Sequence, residues 1–203
     1  MHIVETKRAP NPRRVRIFLA EKGIDVAFRE LDLMAGDLKT GDFSQLNPWQ
    51  RVPVLVLGNG QTLCETVAIC RYFEELSPEP SLFGRDAFEK ATVEMWQRRV
   101  ELNLFNHITQ VFRHLNPKMA HLEMPQIAAW GEVNKPKVDD DLFALDTRLA
   151  DNRFLAGEYF SIADITALVA VDFLKPAKLG VPESATHLRR WHHEVAQRPS
   201  ASA

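Results

Sequence analysis

Gln50-Arg51-Val52-Pro53-Val54-Leu55 and Leu63-Cys64-Glu65-Thr66-Val67-Ala68-Ile69 decide how this chain is read. Each is an apolar run that opens on chemistry packing does not require. A proline at the mouth of a strand cannot donate to the ladder and can occupy a cis bond, which leaves the Val52 amide and carbonyl free for an extended ligand such as a short peptide. Thr66 stands where a helix begins, so unpaired amides and the positive dipole end can receive a carboxylate, while Glu65 beside it can accept from an ammonium. An amino acid carries both groups.

Working outward, the segment before this pair reads as alternating strands and helices. His2 to Thr6 is a strand, Pro12 to Lys22 a helix closed by Gly23, and Val26 to Leu31 a half-buried strand by its alternation. Asp42 to Leu46 is a short helical patch ahead of Asn47-Pro48. Val54 to Leu57 and Gln61 to Leu63 pair as a hairpin across Gly58-Asn59-Gly60. The helix Thr66 to Leu76 aligns Ile69, Tyr72, Phe73 and Leu76 on one apolar face and leaves Glu74 and Glu75 toward water. The expected order is β-α-β-α-β-β-α. Ser77-Pro78-Glu79-Pro80-Ser81 then breaks the pattern, and from Asp86 onward helical periods dominate: Asp86 to about Leu115, Pro125 to Ala150 with a kink available at Pro136, Ile162 to Leu174, and Ala185 to Gln197. The expected division is an α/β domain over 1–76, a linker over 77–84 and an all-α domain over 85–203, with frayed terminal residues.

Composition narrows the function classes. Twenty-five Lys and Arg against 27 Asp and Glu give a net charge of −2, which offers no global attraction for nucleic acid or an anionic membrane. No apolar run reaches the roughly 20 residues of a membrane span, and Met1-His2-Ile3-Val4-Glu5 lacks a signal-peptide pattern, so a cytoplasmic protein is expected. The two cysteines, Cys64 and Cys70, exclude a disulfide framework and read as small buried hydrophobes. His187, His192 and His193 near Trp191 have no carboxylate or cysteine at ligand spacing, and no metal is expected. Glycine-rich nucleotide loops and a Ser-His-Asp signature are missing.

The order and spacing of these parts resemble the cytosolic glutathione S-transferase family over nearly the whole chain. The motifs that carry the resemblance are Pro10-Asn11-Pro12-Arg13-Arg14-Val15-Arg16-Ile17 with Glu21-Lys22-Gly23, Asn47-Pro48 ahead of Val52-Pro53, Glu65-Thr66, and Phe160-Ser161-Ile162-Ala163-Asp164-Ile165. In the last, Ser161 and Asp164 can also satisfy helix amides reciprocally as a capping box, worth about 1 kcal/mol per cap. The resemblance implies a thioredoxin-like first domain that holds glutathione, the co-substrate, with its cysteinyl part on the Val52 backbone beside Pro53. It implies that Glu65 and Thr66 receive the γ-glutamyl group, and that Lys39 and Arg51 reach the glycine end. It further implies conjugation to a small electrophile, a role in detoxification, and a homodimer.

One departure matters for chemistry. The resemblance implies a serine or cysteine six residues before Val15, to hold the glutathione sulfur as thiolate, and here that residue is Ala9. A thiol with pKa near about 8.5 is mostly protonated at neutral pH, so another group must stabilise the anion. Asn11, at the start of the first helix, can donate an amide where the dipole favours negative charge, and Thr6 is a second candidate. Asn103, His107, Gln110 and His114 share one helix face, and His107 and His114 can position a water or take a proton near pH 7. This stripe resembles family members that use helix residues holding a water. Phe105, Phe112 and Trp130 can line a pocket for the electrophile or belong to the core. A non-catalytic binding or interaction module is the competing reading, and a glutathione-dependent reductase, which wants a cysteine at position 9, ranks last.

Overall fold

The computed structural model describes all 203 residues, Met1–Ala203. Contacts divide them into two compact units, Met1–Ser81 with Pro199–Ala203, and Leu82–Arg198.

In the first unit β1 (His2–Glu5), β2 (Ala27–Glu30), β3 (Val54–Val56) and β4 (Thr62–Cys64) form one sheet in the order β2-β1-β3-β4. β2 runs parallel to β1, and β3 and β4 are antiparallel to their neighbours. The parallel pair needs a crossover, supplied by α1 (Pro10–Lys22). Prolines at the first turn of α1 suit positions whose amides have no helical acceptor. Gly23, at φ 64°, ends the helix: its N–H reaches the Ala20 carbonyl and the Ile24 N–H the Leu19 carbonyl, a Schellman-type closure. α2 (Gly41–Leu46) and the 3-10 turn Asp37–Lys39 seat Phe43 and Leu38 on Val4 and Val54 of the sheet. The hairpin closes through Leu57 and Gln61, with Gly60 at φ 86°. This is the thioredoxin-like arrangement that the family resemblance implies.

Three expectations for this unit change. β2 is exposed along its whole length rather than half-buried, because it is the edge strand; only the flanking Val26 is buried. On α3 (Thr66–Leu76), Leu76 is 60% exposed while Glu74 is buried, so the inward face is Thr66, Ile69, Cys70, Phe73 and Glu74. Glu74 is accommodated because Lys22 of α1 reaches it and also donates to the Ser77 and Pro78 carbonyls. The terminal residues are not frayed either. Pro199–Ser202 forms a 3-10 turn against α1, where Arg13 donates to the Ala201 carbonyl and Ser200 to Glu21, so Ser200 and Ala201 are buried.

The second unit is all-helical: α4 (Ala87–Arg99), α5 (Asn106–Leu115), α6 (Ala128–Ala150), α7 (Ile162–Asp172) and α8 (Thr186–Ala196). The expected single helix from Asp86 to Leu115 is α4 and α5 joined by a π-helical turn, Val100–Phe105. A π turn adds a residue to the helical repeat and rotates the faces of the next helix relative to those of the last. α6 runs through Pro136. α7 is buried on every side from Ile162 to Val171, and α4 meets it through the Thr166 hydroxyl, which donates to Gln97 at 2.7 Å with both side chains buried. Asp164 accepts from the Ser161 amide and hydroxyl, closing the expected capping box.

α5 and α6 approach closely at Gly131. A Cβ built there lies 2.6 Å from Leu115 Cγ and 3.3 Å from His114 Cβ. Gly131→Ala is therefore expected to lower stability: overpacking costs about 1–3 kcal/mol, more than the roughly 1 kcal/mol that alanine gains over glycine in a helix. Urea unfolding of the two proteins measures the difference, and an alanine variant of equal or greater stability contradicts this packing.

Candidate functional site

The β3–β4 register brings the segments 50–55 and 63–69 side by side. Val54 pairs with Cys64, so Val52-Pro53 leads into this end of the hairpin and Glu65-Thr66 leads out of it. The Val52–Pro53 bond is cis, and neither the Val52 N–H nor its carbonyl is bonded to another backbone group. Val52 is half-buried on the cluster of Val4, Leu38, Phe43 and Val54. Across from it, Glu65 has φ 68° and ψ 123°, a conformation costly for a residue with a side chain, and its carboxylate does not cap α3. Thr66 opens α3 and is buried; its amide and the next two have no helical acceptor. The result is a short antiparallel edge with free backbone groups on one side and a helix N-terminus with an unspent carboxylate on the other. It can pair with an extended main chain and hold a zwitterionic amino-acid head.

The other candidates in this unit are distributed around the loops. Lys39 ends the 3-10 turn and Arg51 precedes Val52; both are exposed and neither has an ion-pair partner. Asn11 lies in the first turn of α1, accepting from Arg14 at 3.3 Å through Oδ1 and leaving its Nδ2 hydrogens unspent. Thr6 donates its hydroxyl to the Leu31 carbonyl at 3.2 Å, which occupies the proton a thiolate would need. Ala9 is the N-cap of α1 with no side-chain hydrogen bond. A surface cavity of about 250 Å³ is lined by Arg29, Leu31, Asp37, Thr40, Asp42, Phe43 and Leu46, and none of the candidate residues contributes to it. Burial first, then the Glu65 carboxylate, pushes the Cys64 thiol up, away from nucleophilic use.

In the helical unit the polar stripe faces α6. His107 Nδ1 is 2.6 Å from Asp141 Oδ2, Gln110 accepts from Trp130 Nε1 at 2.9 Å, and His114 Nδ1 accepts the Ile127 N–H at 3.0 Å. Asn103 falls in the π turn and is exposed. The two histidines thus have opposite tautomers. The Asp141 carboxylate accepts a hydrogen bond from the Nδ1–H of His107 and leaves Nε2 as an acceptor, whereas His114 carries its proton on Nε2, which is 3.9 Å from Glu123. Burial, more than any other cause, raises the Asp141 carboxyl above the ordinary aspartate range, with His107 opposing the shift. Of the aromatics, Phe105 is buried and meets the Phe173 ring edge-on, Phe112 meets the same ring with centroids 4.9 Å apart, and Trp130 is 44% exposed. Asp141 was not legible as a partner of His107, since only the pairing of α5 with α6 joins residues so far apart in sequence.

No group of three or more His, Cys, Asp or Glu side chains is placed to hold a metal ion. No helix is long and apolar enough to cross a membrane.

The chain is similar to known proteins over both of its units. Residues 9–76 match the family profile of the glutathione S-transferase N-terminal domain, and residues 128–199 that of the C-terminal domain. Glutathione S-transferase 2 of Saccharomyces cerevisiae is 36% identical over 98% of this chain and 87% of its own. A crystal structure of Gtt2 from that yeast superposes with a TM-score of 0.95 at 36% identity, covering 100% of this chain and 99% of the other. A glutathione S-transferase domain-containing protein of Marinobacter aquaeolei superposes equally well, at 0.95 and 39% identity, over 98% of this chain and 99% of its own. With both halves matched and relatives aligned end to end, this chain belongs to the glutathione S-transferase family.

Proposed function

We propose that this protein conjugates the thiol of reduced glutathione to a small electrophile. The observation that carries the reading is the juxtaposition of the free Val52 backbone at the cis-Pro53 bond with Glu65 and Thr66 at the N-terminus of α3. The Val52 amide and carbonyl pair with the cysteinyl residue, the α3 amides and Glu65 take the carboxylate and ammonium of the γ-glutamyl group, and Lys39 and Arg51 attract the glycine carboxylate. The helical domain holds the electrophile, and the active form is a homodimer, a state that light scattering checks directly.

Forming the thiolate is the chemical task, and Ala9 cannot assist. Asn11 has unspent Nδ2 hydrogens at the positive end of α1 and serves as the sulfur's donor. His107 is the general base of the helical unit: Asp141 accepts from Nδ1 and leaves Nε2 able to take a proton. His114, whose Nδ1 accepts the Ile127 N–H, can donate from Nε2 but not take a proton there. The thiolate attacks the electrophilic carbon, the new C–S bond forms as the leaving group departs with its electron pair, and the thiol proton passes to solvent water.

Two measurements test this. Ultraviolet thiolate absorbance of the glutathione complex across pH is expected to show a thiol pKa below about 7, against about 8.5 for the free thiol. His107→Ala is expected to lower turnover at saturating glutathione by about 100-fold while affinity for glutathione holds. A bound thiol that titrates as in water removes the transferase reading and favours a non-catalytic glutathione-binding module, for which the bare Ala9 N-cap is the supporting observation.

A further inference from the structure

We infer that Asn47 is a positioning residue for glutathione, orienting the peptide unit whose N–H belongs to Val52. The inference rests on the assignment of the Val52 backbone to the cysteinyl part of glutathione.

Asn47 is 1% exposed and sits where α2 ends. Four of its hydrogen-bonding groups are engaged by backbone around it. Its N–H donates to the Phe43 carbonyl at 2.9 Å, its carbonyl accepts the Gln50 N–H at 2.9 Å, Oδ1 accepts the Trp49 N–H at 3.0 Å, and Nδ2 donates to the Arg51 carbonyl at 2.8 Å. The first of these is anchored, because Phe43 is buried in the cluster of Val4, Leu38 and Val54. The others hold a loop with little packing of its own: Trp49 is 80% exposed, and Pro48 and Arg51 are exposed as well. One buried amide therefore links a rigid core to every turn of the 48–51 loop.

The Arg51 carbonyl and the Val52 N–H belong to a single trans peptide plane, in which C=O and N–H point in opposite directions. Tethering that carbonyl to the buried Nδ2 of Asn47 turns the Val52 N–H to the opposite side of the peptide plane, away from Asn47. Gln50 supplies an independent sign that the loop is held rather than relaxed. Its φ is 52°, unfavourable for a residue with a side chain, and the two Asn47 bonds to the Gln50 N–H and the Arg51 carbonyl bracket it on either side. Without the Nδ2 donor the Arg51 carbonyl loses its protein partner and the peptide plane is free to turn.

Asn47→Ala and Asn47→Asp test the inference, with Gly84→Ala as a control for general destabilisation. Gly84 lies in the other unit at φ 91°, and a Cβ there meets the Glu89 backbone at 2.6 Å. Calorimetry gives the glutathione Kd, and steady-state kinetics with chlorodinitrobenzene give kcat and both KM values. Both Asn47 variants are expected to weaken glutathione binding by about tenfold or more, as loss of one well-placed hydrogen bond with desolvation of its partner allows. The KM for glutathione rises in step, the KM for chlorodinitrobenzene is unchanged, and kcat at saturating glutathione stays within about twofold, the pattern of lost ground-state binding. Asn47→Asp fails along with Asn47→Ala because a carboxylate can still accept from Trp49 but cannot donate to the Arg51 carbonyl. Wild-type affinity in Asn47→Ala overturns the positioning role while leaving glutathione binding intact. An equal shift in Gly84→Ala reduces Asn47 to a stabilising residue and also overturns it. Failure of the wild-type protein to bind glutathione at all overturns both this inference and the functional reading beneath it.

Discussion

Asp164→Ala is expected to destabilise the helical unit by about 3–6 kcal/mol, since removing an acceptor costs about 1–3 kcal/mol for each buried donor left unpaired. Asp164 is fully buried in α7. Oδ1 accepts the Leu155 N–H at 2.9 Å and Trp191 Nε1 at 3.0 Å, and Oδ2 accepts the Ser161 N–H at 3.1 Å and its hydroxyl at 3.0 Å. The carboxylate thus ties the start of α7 to the Phe154–Gly157 turn and to α8, well beyond the cap of about 1 kcal/mol expected from Ser161 and Asp164 alone. Asp164→Asn should lose less than Asp164→Ala, because an amide oxygen in the Oδ1 place retains Leu155 and Trp191. Chemical denaturation of the two variants is expected to rank them in that order. An alanine variant within about 1 kcal/mol of wild type rejects the hub.

Asp164 also gives a pH dependence with a definite sign. Desolvation pushes its carboxyl up to about 6, and the four donors only partly oppose it. A folded pKa above the unfolded value near about 3.9 means the native state binds the proton more tightly, so the proton-linked part of this residue's contribution is fully present below about pH 4 and is lost as pH rises through about 6. The Asp164→Asn variant lacks this dependence. The difference in unfolding free energy between wild type and Asp164→Asn should therefore shift in favour of wild type by about 2–3 kcal/mol between pH 8 and pH 4.

The second large effect is expected in the first unit. Glu74→Ala leaves the Lys22 ammonium, whose side chain is fully buried, with the Ser77 and Pro78 carbonyls and the Phe18 ring but no counter-charge. Breaking a buried pair from one side typically costs about 3–5 kcal/mol, because the remaining charge is uncompensated. Replacing both, as Lys22→Met with Glu74→Leu, removes the two desolvation penalties together and is expected to return stability to within about 1–2 kcal/mol of wild type. The pair joins α1 to the end of α3 and to the chain leaving it. Thermal unfolding of the single and double variants gives the coupling, and additive losses would refute it.

The sequence carried the fold because its strongest signals are local. Gly23 ends α1, Gly60 turns the hairpin, and Thr66–Leu76 forms the helix its apolar period predicts. The site was half legible for the same reason: Val52-Pro53 and Glu65-Thr66 announce unusual backbone chemistry within a few residues. Signals failed where a partner from elsewhere decides. Glu74 reads as solvated until Lys22 arrives from α1, the terminal residues read as loose until Arg13 and Glu21 take hold of them, and Asp164 reads as a simple cap until Trp191 and Leu155 converge on it.

By itself, then, the sequence determined the succession of strands and helices, the membership of two kinds of domain, and the residues able to meet a peptide backbone and an amino-acid head. Periodicity, capping and turn chemistry act over a few residues and need no distant partner. Only the tertiary structure decided that the β3–β4 register brings the two segments to one end of the hairpin, that Glu74 meets Lys22, and that His107 meets Asp141 while His114 meets the Ile127 N–H. Those depend on pairings between separate elements, whose free energy comes from burial and satisfied hydrogen bonds that exist only once the elements have packed.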